Sequence, residues 1–444
     1  MLTRPERNEG RAPLRAGLQA AGQYDGLQTA GRFYPVACVA LEVTQKCNLD
    51  CTLCYLSEHA EQARDVPLAV LFQRIAMTHA QYGEGTTIQI TGGDPTLRMA
   101  DDLEAICLEI KRLNMRSCLM TNGIRASRTL LKRLAAAGLD DVAFHVDLTQ
   151  KRKGFESEVA LNKVRQTYID RARGLGLRIL FNTSVFDGNL SEVPALCQFF
   201  QVQAKHLALV SFQMQAETGR GTQTPRSKGL TKAALEAQIG KGFGIAFPSK
   251  IGIGHSECSG YDHLLIAGNK AVSVLSDTRL VKRIIHTLDK LDKEERPVAN
   301  SRRNAYKVPM HDPGVILHLF KAMLGVLWQL RSGFWASRGR LSHMSVVIHS
   351  FMDAKALVSE RCASCVFKVA TSEGLVSMCV YNAERDKHLF APVPIKDGNR
   401  LAWWSAATGK VTFAPMDARP RRPKFKHMKG RQRAKEAQRR KLSS

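Results

Sequence analysis

Through the first half of the chain, short apolar runs alternate with stretches in which apolar residues recur every three or four positions. Ala37 to Thr44, Thr86 to Thr91, Met115 to Thr121, Asp141 to Val146, Arg178 to Val185 and His206 to Gln213 each read as a short apolar strand. Asp102 to Leu113 and Arg128 to Ala137 carry helical periodicity, and the second stops at Gly138, where a helix end is expected. This alternation predicts an α/β fold with a parallel sheet of right-handed βαβ units. In barrels of such units, chemistry gathers at the carboxyl ends of the strands.

The second half is less regular. From Val315 to Leu330 nearly every residue is apolar, and the exceptions His318, Lys321, Gly325 and Gln329 recur at spacings of three, four and four, along one narrow helical stripe. The run is read as too short and too interrupted for a membrane span. It fits a core helix, or else a helix that lines a lipid-sized pocket or lies on a membrane surface.

Candidate chemistry follows the first apolar run, where Cys47, Cys51 and Cys54 are spaced C-x3-C-x2-C. A cubane iron-sulfur cluster needs a ligand on each of its four irons, so a loop offering three thiolates leaves one corner open. A zinc site would be expected to bring a fourth Cys or His close by. At these residues the chain resembles the radical S-adenosylmethionine (SAM) superfamily. The resemblance implies a partial (β/α)6 barrel, a catalytic 4Fe-4S cluster on the three cysteines, and SAM chelating the fourth iron through its amino and carboxylate groups. It also implies a one-electron reductant such as ferredoxin or flavodoxin, whose electron cleaves the sulfonium to give a 5′-deoxyadenosyl radical.

The second run ends in Thr91-Gly92-Gly93-Asp94-Pro95-Thr96. Glycines let the backbone turn tightly and approach a ligand. The segment resembles the superfamily's GGE motif, which receives the amino group of SAM; here the acid is Asp94, one methylene shorter. Asn122 follows the third run. His145 and Asp147 close the fourth, on one side of the strand by period-two alternation, and Asn182 and Ser184 share a face of the fifth. The resemblance puts such strand-end groups beside SAM, some at its ribose and methionine carboxylate, while the plainer reading of each is a cap or turn former. Asp94 and His145 are the candidate catalytic side chains, His145 because imidazole titrates near neutrality and can donate a proton. Tyr55 and Leu53 flank the third cysteine, a neighbourhood that packs against adenine in the superfamily; a core or surface aromatic is the alternative for Tyr55.

Cys362-x2-Cys365 and, after thirteen intervening residues, Cys379 make a plausible second ligand set for an auxiliary iron-sulfur cluster or zinc, with Cys258 as the candidate fourth ligand or an inert buried thiol. The stretch from His349-Ser350-Phe351-Met352-Asp353 through Cys379-Val380-Tyr381-Asn382, together with Ser211-Phe212-Gln213 and Thr218-Gly219-Arg220, resembles one radical SAM branch. That branch holds archaeal enzymes described as pterin-methyltransferase-like and as tetraether lipid synthases, and it implies a SPASM-like C-terminal region. Cys38, Cys107, Cys118 and Cys197 lie in or beside apolar runs and read as small core residues.

Eleven cysteines in 444 residues are too sparse for a disulfide scaffold, and their clustering points to metal ligands in a reducing cytoplasm. Met1 to Gly31 has scattered charges and no apolar h-region, so it predicts neither a signal peptide nor a membrane span. Of the net charge of +25, +11 sits in the last 26 residues, where Arg419 to Ser444 holds twelve Lys/Arg against one acid, Glu436, and the remaining +14 is spread over the other 418. That tail is expected to be disordered, and it could meet RNA, DNA or an anionic membrane surface or simply add solubility. The organisation expected is an N-terminal arm (1–35), a radical SAM core barrel (36–250), a C-terminal auxiliary metal-binding region with the apolar helix (251–416) and a basic tail (417–444). The expected activity is radical functionalisation of an unactivated carbon, by C–C bond formation or methylation, on a hydrophobic or lipid substrate, in the cytoplasm or at the membrane periphery. A pterin or RNA substrate and a non-catalytic iron-sulfur protein are the alternatives.

Overall fold

All six apolar runs become strands, and they lie side by side in chain order. The computed structural model describes residues 10–223, 226, 229–294, 307–397 and 400–415. The basic tail and the first nine residues lie outside these. Strands β1 (Cys38–Thr44), β2 (Thr87–Gly92), β3 (Arg116–Thr121), β4 (Asp141–His145), β5 (Arg178–Val185) and β6 (Leu207–Met214) pair in parallel, each with the next. Along β2 the pattern alternates, with Ile88 and Ile90 buried under the helices and Gln89 and Thr91 half-buried on the opposite face. The helices Ala100–Arg112 and Arg128–Ala136 fall where periodicity put them. After the second, Gly138 takes φ +102°, beyond the reach of most residues.

The C-terminal half extends this sheet at both edges. Its strands are β7 (Ser259–Ala267), β8 (Lys270–Ser273), β9 (Ser342–His349), β10 (Phe367–Ala370) and β11 (Leu375–Ser377), and the spatial order is β11-β10-β1-β2-β3-β4-β5-β6-β9-β7-β8. β10 is parallel to β1 and β9 to β6, so eight neighbouring strands run the same way. The sheet curls until its two parallel edges meet through side chains: the His349 ring at the end of β9 lies edge-on to Phe367 at the start of β10, with centroids 4.8 Å apart. A small antiparallel sheet of β12 (Val393–Asp397), β13 (Arg400–Trp404) and β14 (Val411–Thr412) seals one side, with Val393 and Trp404 joining the main core.

One stretch for which the sequence suggested no element is ordered, and another differs from expectation. The N-terminal arm contains a helix, Arg11–Ala20, whose Leu14 and Leu18 are buried against Ala30 and Val366. Its Gly17 comes so close to Ala363 that a Cβ there would lie 2.8 Å from the Ala363 carbonyl oxygen. The apolar run at Val315 forms a helix of 23 residues, Gly314–Ala336, but it is not a core helix: only Val315, Leu330 and Gly333 are buried. Among the described residues it is also long and apolar enough to cross a membrane, against the expectation that the run is too short.

Candidate active site

The cysteine loop leaves β1 at its carboxyl end, and main-chain bonds hold it from three directions. On one side, Gly93 N donates to Thr44 O (2.9 Å) and Asp94 N to Lys46 O (2.8 Å). On another, Thr52 N donates to Thr149 O (2.8 Å), in the turn that follows β4. On the third, Gly221 N donates to Cys54 O (2.9 Å), and Arg220 Nε reaches Ser57 O (3.1 Å). The glycine strap fits closely: a Cβ on Gly92 would lie 1.9 Å from Thr44 O, and one on Gly93 2.0 Å from Lys46 O. The three thiols thus sit on a fixed loop and belong to no disulfide. This donor set and cradle fit a cluster bound by three cysteines.

Asp94 is placed as a strut of that loop and is fully buried. Its Oδ1 accepts from Thr96 N (2.9 Å) and its Oδ2 from Asn122 N (2.8 Å), and the Thr121 hydroxyl bonds both oxygens. The carboxylate is therefore saturated by its own neighbourhood, and the backbone of Gly92 and Gly93 is what the strap has left to offer. Asp147 repeats the device after β4. Its Oδ1 accepts from Thr149 N (2.9 Å) and its Oδ2 from Ser184 N (2.9 Å), again clamping a tight turn to the neighbouring strand. Asp94-Pro95-Thr96 and Asp147-Leu148-Thr149 share an Asp-x-Thr pattern, a legible turn signal that strand reading alone overlooks.

The strand-end residues converge. His145 Nε2 lies 2.5 Å from Asp147 Oδ2 and 3.2 Å from Ser184 Oγ, while its Nδ1 is 3.1 Å from Asn182 Nδ2. Ser211 Oγ donates to Asn182 Oδ1 (2.8 Å), which orients the amide so that Nδ2 donates to His145. The imidazole proton then sits on Nε2, toward Asp147. Burial opposes the Asp147 charge, yet His145 and the surrounding donors hold its carboxyl down to about 2. Both nitrogens of His145 are engaged, which suits a residue that shapes the pocket better than a free proton donor. Asn122 bonds Asn48 Oδ1 (2.6 Å) inside the cysteine loop, and Arg152 holds Asn122 by its carbonyl (2.6 Å). Sequence spacing singles out neither Asn48, an x position of the C-x3-C run, nor Arg152, because their partners are set by the fold.

Tyr55 is tied down as well. Its hydroxyl donates to Gly92 O (2.5 Å), and Arg385 lies 4.7 Å over its ring. Arg385 in turn pairs with Glu42 of β1 (2.6 Å), which also accepts from Tyr381 (2.7 Å) and Gln45 (2.7 Å). Burial works against the Glu42 charge, but Arg385 and these donors hold its carboxyl below its ordinary range. This buried cluster connects the cysteine loop to the helix Met378–Ala383, which carries Cys379.

The second set of cysteines gathers where the sheet edges meet. Cys258, Cys365 and Cys379 line one small cavity with Phe351, Arg361 and Phe367. Burial, reinforced by Cys365, Cys258 and Cys362 nearby, pushes the Cys379 thiol up to about 12. Burial likewise raises the thiols of Cys258 and Cys362, each close enough to Cys365 to feel its charge. Arg361 Nε approaches Cys258 Sγ at 3.3 Å, and the same guanidinium holds Ser350 O (2.8 Å). Among the described residues no three His, Cys, Asp or Glu side chains close on a single metal ion.

Residues 41–199 match the family model described as the radical SAM superfamily. "PqqA peptide cyclase" of Methylobacterium sp. (strain 4-46) is 27% identical over 182 residues, covering 40% of this chain and 47% of the relative. "GTP 3′,8-cyclase, mitochondrial" of Arabidopsis thaliana is 32% identical over 200 residues, covering 37% and 50%. The chain spans about half the length of these relatives. Among solved structures, Streptococcus suis SuiB bound to S-adenosylmethionine is similar with 15% identity and a TM-score of 0.36, over 46% of each chain.

Proposed function

We propose that this chain, which carries a radical SAM domain over residues 41–199, functionalises an unactivated carbon of a hydrophobic substrate by C–C bond formation or methylation. One observation carries the reading: three cysteines sit on a loop pinned from three sides at the carboxyl end of β1, beside a Gly-Gly strap with no room for side chains. When bound, the 4Fe-4S cluster and SAM supply a 5′-deoxyadenosyl radical, the agent of C–H abstraction.

The chain's own residues do the rest. Cys47, Cys51 and Cys54 would hold the cluster. The backbone of Gly92 and Gly93 would meet the SAM amine, while Asp94 fixes the strap. Asn122, His145, Asn182 and Ser184 would line the pocket, with Asp147 locking the imidazole in place. Cys258, Cys362, Cys365 and Cys379 would hold an auxiliary cluster. The carbon-carbon reading draws on relatives named as cyclases, and the lipid reading on the segments resembling tetraether lipid synthases.

A deuterated lipid extract tests the substrate class. Deuterium transferred into 5′-deoxyadenosine during SAM cleavage is the result expected. SAM cleavage with no deuterium transfer from any hydrophobic fraction would contradict it.

A further inference from the structure

We propose that the helix Gly314–Ala336 seats the protein on an anionic phospholipid bilayer, lying in the plane of the membrane rather than crossing it. Its exposed side is apolar over a broad arc: Ile316, Leu317, Phe320, Met323, Leu324 and Trp328 all project to solvent, Leu317 with 60% and Trp328 with 65% of its surface accessible. At roughly 100° per residue these positions share one face, interrupted toward its carboxyl end by Arg331 and bordered by the polar stripe of His318, Lys321, Gly325 and Gln329. The third side meets the protein body.

That third side decides between lying and crossing. Near the amino end Val315 packs against Leu280 and Val308, and His318 Nε2 lies 2.8 Å from Asp277 Oδ2. Near the carboxyl end Leu330 packs against Ala267 and Val272. Gly333 comes so close that a Cβ would lie 2.0 Å from Ala267 O. The helix is therefore fastened to the body at points about 27 Å apart. It cannot stand across a bilayer without carrying β7 and β8 into the hydrocarbon, whereas a helix laid along the surface keeps every one of these contacts.

Charge selects the occupant. From Pro313 to Met352 the sequence has no Asp or Glu, while Lys321, Arg331, Arg338 and Arg340 are all basic. These four are exposed. Arg331 stacks over the Trp328 ring at 4.0 Å, an aromatic-cation pair of the kind that settles at headgroup depth. A second copy of the chain on this face would oppose like charges; phosphate headgroups oppose unlike ones.

The test is flotation of the full-length protein with phosphatidylcholine vesicles, with and without phosphatidylglycerol, alongside tryptophan emission. The expected result is co-flotation favouring the anionic vesicles, with a blue shift that disappears in Trp328→Phe/Trp335→Phe. Phe320→Glu/Leu324→Glu, at two exposed positions, should weaken binding by about tenfold or more while leaving the thermal unfolding curve in place. Three results would overturn the proposal: no flotation with either vesicle, flotation unaffected by F320E/L324E, or a dimer in light scattering that the double variant dissociates without any vesicle binding.

Discussion

Asp94 Oδ2 accepts the backbone N–H of Asn122 at 2.8 Å, and this bond ties the Gly-Gly strap to the end of β3. A carboxylate suits the position because every neighbour there donates. Asp94→Asn turns one acceptor into a donor facing donors. It should cost about 2 to 3 kcal/mol in chemical denaturation and lower the iron retained after gel filtration. Unchanged stability would show that the strap does not need the charge.

Gly93→Ala disturbs the same strap through its backbone. A methyl group 2.0 Å from Lys46 O meets backbone on the cysteine loop itself, so the loop must shift. The variant should fold but bind SAM at least about tenfold more weakly in equilibrium dialysis, since both strap and loop are displaced. Affinity equal to that of the unmodified protein would mean that SAM does not use this strap.

The second cysteine site predicts a separable loss of iron. Cys258→Ser/Cys365→Ser should lower bound iron by about four atoms per chain and leave the triad's spectroscopic signal intact. Loss of all iron, or of none, would contradict two independent sites.

Asp262 supplies a pH signature. It is fully buried on β7, its Oδ1 accepts from Ser273 and its Oδ2 has no partner, and burial raises its carboxyl to about 6. The folded state therefore holds this proton more tightly than the unfolded chain. The resulting stabilisation is complete below about pH 4 and is lost as pH rises through about 6. Asp262→Asn should flatten the change in unfolding free energy across that window and make the protein up to about 3 kcal/mol more stable at pH 7 than the parent. An unaltered pH profile would rule this out.

What the sequence revealed and what it hid divide along physical lines. Strands such as Arg178–Val185 were legible because a buried parallel strand is a continuous apolar run between turn signals, and that pattern is local. The Cys362 and Cys365 pair was legible for the same reason. Its position beside β1 was not, because the β1–β10 pairing joins Cys38 to Phe367 across most of the chain. The helix Gly314–Ala336 was legible as a helix but not as core or surface, because its composition suits either and whether an apolar helix is covered depends on what packs against it. At the site, cysteines and glycines announced themselves by spacing. Asn48, Arg152, Arg361 and Arg385 act through contacts that only the fold creates.

On the function proposed, Cys47, Cys51 and Cys54 hold a cluster that cleaves SAM. The most direct measurement is anaerobic reconstitution with iron and sulfide, followed by SAM and dithionite, with 5′-deoxyadenosine quantified for the parent and for Cys47→Ala/Cys51→Ala/Cys54→Ala. Roughly eight irons per parent chain, with product, and roughly four in the triple variant, without product, are expected. Iron bound by the triad without 5′-deoxyadenosine, or product formed by the triple variant, would contradict it.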